Sequence, residues 1–173
     1  RILLILLTLY LFLIAPNLFH RKLCARQLTS HAYAHRGLYD NARGVPENSL
    51  PAFERAVRAG YGIELDVRET RDHVLVVHHD ETLERSCGDK QLELFKTGEH
   101  IPTFDEVLSL VNGQVPLIVE LKTDFYNHAL PQAVHQRLSQ YSGVYCIESF
   151  DPFAVRWYRK NARSVVRGQL SFM

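Results

Sequence analysis

Gly62-Ile63-Glu64-Leu65-Asp66-Val67 decides the fold. Side chains alternate along a strand, so Ile63, Leu65 and Val67 share one face while Glu64 and Asp66 share the other, about 7 Å apart. One apolar face suits a layer of covering helices. Two carboxylates on the opposite face suit the interior of a parallel barrel, whose chemistry gathers at the carboxyl ends of the strands.

Working outward, Val119-Glu120-Leu121-Lys122 repeats the alternation and places Glu120 beside Lys122. Three carboxylates converging in one space repel unless a cation neutralises them, and an all-oxygen donor set suits a hard ion such as Mg²⁺ or Ca²⁺. The alternative is that Lys and Arg pair with them as core salt bridges, because buried charge is costly unless it is paired or metal-bound.

The flanking sequence reads as strands alternating with helices, which argues for a parallel sheet with helical crossovers. Strands are expected over 32–35, 62–67, 74–78, 117–121, 144–147 and 165–170, with only a short turn at Arg71-Asp72 between the second and third. Asn48-Ser49-Leu50-Pro51 opens a helix that Gly60 stops. Thr103-Phe104-Asp105-Glu106 has capping-box spacing, and Asn112-Gly113 closes that helix. A helix over 125–141 is expected to break near Pro131, and Asp151-Pro152 caps and starts the last one.

Two histidines stand apart from the other seven. His35 and His79 each fall at the carboxyl end of an expected strand, where barrel enzymes place catalytic groups, and imidazole exchanges protons near neutral pH. His31, His73, His100, His128 and His135 sit in loops or helices. Zinc is disfavoured by the Glu- and Asp-rich surroundings, and no G-x-S-x-G elbow supports a Ser/His/Asp nucleophile.

Composition narrows the partners. The 173 residues are 46% hydrophobic and 23% charged, with a formal net charge of +1, which gives no electrostatic basis for binding nucleic acid. Cys24, Cys87 and Cys146 are too irregularly spaced for a disulfide framework or a metal knuckle; all three read as free thiols, two of them buried. From Ile2 to Phe19 no side chain is charged, and Arg21-Lys22-Leu23-Cys24 follows without a small-residue cleavage site. Residues 1–20 therefore read as a retained single-pass membrane anchor or uncleaved signal, with 21–29 a basic linker that favours a cytoplasmic catalytic domain.

Taken in order, His35-Arg36-Gly37, Pro46-Glu47-Asn48-Ser49, Glu64-Leu65-Asp66-Val67, Val76-Val77-His78-His79-Asp80 with Thr82-Leu83 and Arg85, Ile101-Pro102-Thr103 and Glu120-Leu121-Lys122 resemble the successive motifs of the glycerophosphodiester phosphodiesterase family, from Ala32 to about Leu170. The resemblance implies a (β/α)8 TIM-type barrel that hydrolyses glycerophosphodiesters to an alcohol and glycerol 3-phosphate with one divalent cation, Mg²⁺ or Ca²⁺. It implies Glu64, Asp66 and Glu120 as metal ligands and His35 and His79 as the acid/base pair. Arg36 and Lys122 would hold phosphate oxygens, and Glu47 would line or brace the site. Two features depart from the pattern: Ser49 stands for the usual Thr, and His73 occupies a turn position usually held by Gly.

About 250 residues are typical of a full barrel, so residues 30–173 read as a domain truncated after about six strands. Two other functions fit the residues. One is a lysophospholipase D or phospholipase-type phosphodiesterase on a related barrel acting on a lysophospholipid; the other is a membrane-tethered phosphate-binding module without turnover.

Overall fold

The computed structural model describes residues 2–14, 23–70, 72–80, 101–123 and 129–171. Its six strands are β1 (Tyr33–His35), β2 (Gly62–Glu69), β3 (Leu75–Val77), β4 (Leu117–Leu121), β5 (Tyr145–Ser149) and β6 (Val166–Gln169). The helices are α1 (Ile2–Ile14), α2 (Leu23–Thr29), α3 (Leu50–Ala59), α4 (Phe104–Val111), α5 (Leu130–Leu138) and α6 (Pro152–Asn161).

Five strands form a parallel sheet in the order β1-β2-β4-β5-β6, and helices cross over between them as in the wall of a TIM-type barrel. β3 does not belong to that wall. It pairs antiparallel with the end of β2, Val67 opposite Val77 and Glu69 opposite Leu75. Only five residues separate β2 from β3, too few for the crossover that a parallel neighbour requires, so β3 is not a barrel strand. Among the described residues the wall has five strands, not six.

The helix signals act where expected. Ser49 Oγ accepts from Ala52 N (3.4 Å), Pro51 stands in the first turn of α3, and Gly60 closes it in the left-handed region at φ 74°. Thr103 and Glu106 form a complete capping box on α4, and Asp151 accepts from Phe153 N (2.8 Å) at the start of α6. Pro131, expected to break a helix, stands in the first turn of α5, where its missing N–H costs nothing, while residues 125–128 of the expected helix lie outside the described residues.

The core lies between the sheet and its helices. Ile63, Leu65 and Val67 of β2 meet Phe53, Ala56, Phe104 and Val107, all fully buried. At the amino ends of the strands α2 lies against β5, and Tyr33 Oη donates to Leu28 O (2.9 Å). Gly62 is needed beside that ring, since a Cβ there would come within 2.5 Å of Tyr33.

The expected anchor, residues 1–20, lies only in part within the described residues. There α1 is apolar, and its large side chains from Ile2 to Phe12 are exposed. Among the described residues no helix is long and apolar enough to cross a membrane. α1 lies along α6, where Arg159 donates to Phe12 O (2.6 Å) and Arg156 covers the Phe12 ring. Cys146 is a half-buried thiol, and the burial of Cys24 lies outside what is described. Cys87 and the Thr82-Leu83 and Arg85 positions lie outside the described residues.

Candidate active site

Parallel register brings the polar faces of three strands together. Asp66 stands opposite Glu120, and Glu120 opposite Glu148 on β5. Carboxylate oxygens of Glu64, Glu120 and Glu148 lie within 4.8 Å of one another, with Glu64 and Glu120 buried. Burial first, and then the neighbouring negative charges, push Glu64 up to about 8 from its ordinary 4.5 and also raise Glu120 and Glu148. The donor set is all oxygen, confined and repulsive without a counterion, so it fits a hard divalent cation. Glu148 was not found from sequence. Its signal was available in Cys146-Ile147-Glu148-Ser149, a carboxylate on the same inward alternation as Glu120.

Asp66 stands differently. It is fully buried, accepts from Asn48 Nδ2 (2.8 Å), and lies 3.1 Å from Lys122 Nζ and 3.3 Å from Arg36 Nε. Burial alone would raise it, but the Asn48 hydrogen bond and the two cations outweigh that and hold it below its ordinary value. Lys122 also lies 2.6 Å from Glu120 Oε1. The salt-bridge alternative therefore describes Asp66 and, through Lys122, Glu120, while Glu64 and Glu148 make no ion pair with Lys or Arg among the described residues.

Arg36 is held at both ends. Its Nη1 donates to both oxygens of Glu47 (2.9 and 3.0 Å), and its backbone N–H donates to Glu64 Oε2 (2.9 Å). Glu47 thus braces Arg36. The turn that delivers Arg36 is strained, with Arg36 at φ 57° and Gly37 at φ 83°. At Gly37 a Cβ would stand 2.9 Å from Ala52 Cβ, so glycine is required for both space and conformation.

The two histidines flank this cluster. His35 Nε2 is 3.8 Å from Glu64 Oε2, and burial, then the Arg36 charge, lowers its pKa. His79 lies beyond the end of β3 with Nδ1 2.8 Å from Asp80 Oδ1. A carboxylate only accepts, so Nδ1 carries the proton and Nε2 is the nitrogen left for chemistry. Every residue expected at the site is thus at the carboxyl ends of β1 to β4. Asp66 is placed against the cations rather than in the carboxylate cluster.

A family model described as the glycerophosphoryl diester phosphodiesterase family matches residues 35–167. A glycerophosphodiester phosphodiesterase from Caldanaerobacter subterraneus subsp. tengcongensis is 33% identical over 160 residues, covering 79% of this chain and 65% of that protein. A human lysophospholipase D is 40% identical over 84 residues, 48% of this chain and 26% of its own length. Among solved structures, a glycerophosphodiester phosphodiesterase from Thermotoga maritima has a TM-score of 0.62 at 28% identity, covering 82% of this chain and 62% of that one. The chain spans about half to two thirds of the length of the first curated relatives it matches.

Proposed function

This chain belongs to the glycerophosphoryl diester phosphodiesterase family, and on that premise we propose that its protein hydrolyses glycerophosphodiesters to glycerol 3-phosphate and an alcohol. The observation that carries the reading is the joining, at one end of the sheet, of an all-oxygen carboxylate cluster with Arg36, Lys122 and two histidines.

Glu64, Glu120 and Glu148 would hold a divalent cation, Mg²⁺ or Ca²⁺. Asp66, implied as a ligand by resemblance, would add a further carboxylate from the strand that carries Glu64. When bound, the cation supplies positive charge against the phosphodiester oxygens. The side chains do the rest. Arg36, steadied by Glu47, and Lys122 neutralise the equatorial oxygens, where charge accumulates as phosphorus is attacked. His35, kept neutral by its lowered pKa, takes the proton of the attacking oxygen through Nε2. His79, with Nδ1–H fixed on Asp80, returns a proton to the leaving alkoxide through Nε2.

The test follows phosphorus. With glycerophosphocholine and Mg²⁺ or Ca²⁺, the complete protein is expected to yield glycerol 3-phosphate by ³¹P NMR, and to stop when EDTA is in excess. Undiminished turnover after exhaustive chelation would sink the reading. The match to a human lysophospholipase D favours a second substrate, lysophosphatidylcholine. Running both substrates in parallel decides between them, and cation-dependent binding of glycerol 3-phosphate without turnover of either would mark a binding module.

A further inference from the structure

Beyond Val77, where β3 ends, pairing with β2 continues in the bond from His78 N–H to Asp66 O (2.9 Å). His79, the proton-transfer group, is the next residue along the chain. Its ring is oriented by Asp80, but a ring bond fixes rotation about the side chain and not the place of the backbone that carries it. Proton transfer needs both, because a misplacement of about 1 Å can cost up to about 10²-fold in rate.

The second restraint comes from β2. Arg68, two residues after Asp66 on the same strand face, donates through both Nε (3.0 Å) and Nη2 (2.9 Å) to the backbone carbonyl of His79. Two donors of one rigid guanidinium converge on a single oxygen, so the carbonyl is fixed in direction as well as distance. Arg68 is itself anchored in the sheet, opposite Val76 on β3. The fork ties the His79 main chain to the strand that carries Glu64 and Asp66.

We propose that Arg68 is a positioning residue for the phosphodiesterase reaction, holding the His79 backbone at its working distance from the phosphate without touching substrate. This rests on the acid/base role proposed for His79, and the test separates the two.

The experiment is a double-mutant cycle on the complete protein with glycerophosphocholine, measuring kcat and KM for wild type, Arg68→Met, Arg68→Lys, His79→Ala and the Arg68→Met/His79→Ala pair. Arg68→Met is expected to lower kcat about 10- to 10²-fold, with KM within about twofold. Arg68→Lys, which keeps one donor but not the fork, should fall between Arg68→Met and wild type. In the His79→Ala background the same Arg68→Met change should alter kcat less than about twofold, because the group that Arg68 positions has gone; a residue that only supports the fold would subtract equally in both backgrounds.

Equal losses in both backgrounds, a rise in KM at unchanged kcat, or wild-type kcat in Arg68→Met would each overturn the proposal. Should Arg68→Met fail to fold, Arg68→Lys in the same two backgrounds carries the same comparison. Full activity of His79→Ala would instead overturn the acid/base reading on which the proposal stands.

Discussion

Lys122 stands where two carboxylates converge. Its ammonium lies 3.1 Å from Asp66 and 2.6 Å from Glu120, and 5.9 Å from the centre of the Phe150 ring. Lys122→Met removes a cation aimed at developing phosphate charge, and is expected to lower kcat/KM about 10²- to 10³-fold in a steady-state assay. Each of His35→Ala and His79→Ala should cost about 10²- to 10⁴-fold in kcat, while His78→Ala should not, since His78 reaches Asp66 through its backbone N–H. Equal damage from all three would show the strand face to be misread. At this scale the sequence made His35, Arg36, Glu64 and Lys122 legible through motif order, since each occupies its place by backbone register. It hid Glu148, which stands in no quoted motif and becomes visible only when β5 is laid beside β4. It also hid the partners of Asp66, because Asn48 arrives from a separate loop at φ 54°.

Helices were the most legible elements, because their termini are written as local chemistry: a serine or threonine that accepts, a proline in the first turn, a residue in the left-handed region at the close. Ser49→Ala should destabilise the protein by about 1 kcal/mol through loss of the α3 cap, read as a lower midpoint in urea. Thr103→Ala should cost a similar amount by opening the α4 capping box. One element was misread. β3 looks in composition like any other apolar strand; only the length of its connection shows that it folds back on β2.

For the whole molecule, acidity and metal content are coupled. Glu64, pushed up to about 8, binds its proton more tightly folded than unfolded, and so do Glu120 and Glu148. The contribution of Glu64 to stability is complete below about 4.5 and is lost as pH rises through about 8, and those of Glu120 and Glu148 change in the same sense. With EDTA present, the thermal midpoint should therefore fall between about pH 5 and pH 8. A saturating divalent cation should flatten that slope, because it binds the ionised forms, and an unchanged slope in calorimetry would remove the carboxylates as its ligands. Asp66 works in the opposite sense, stabilising above its ordinary value and losing that contribution only in stronger acid. β2 places both demands on a single strand, with fully buried Ile63, Leu65 and Val67 turned to the helices and Glu64 and Asp66 turned to the site. Natural selection thus acts on adjacent codons through different currencies. Drift at 63, 65 and 67 is restrained by how much folded protein accumulates, and drift at 64 and 66 by turnover per molecule. In a saturation library across β2, abundance and specific activity should vary at alternating positions, so one strand can evolve a new chemistry on its even residues while its odd residues keep the barrel wall intact.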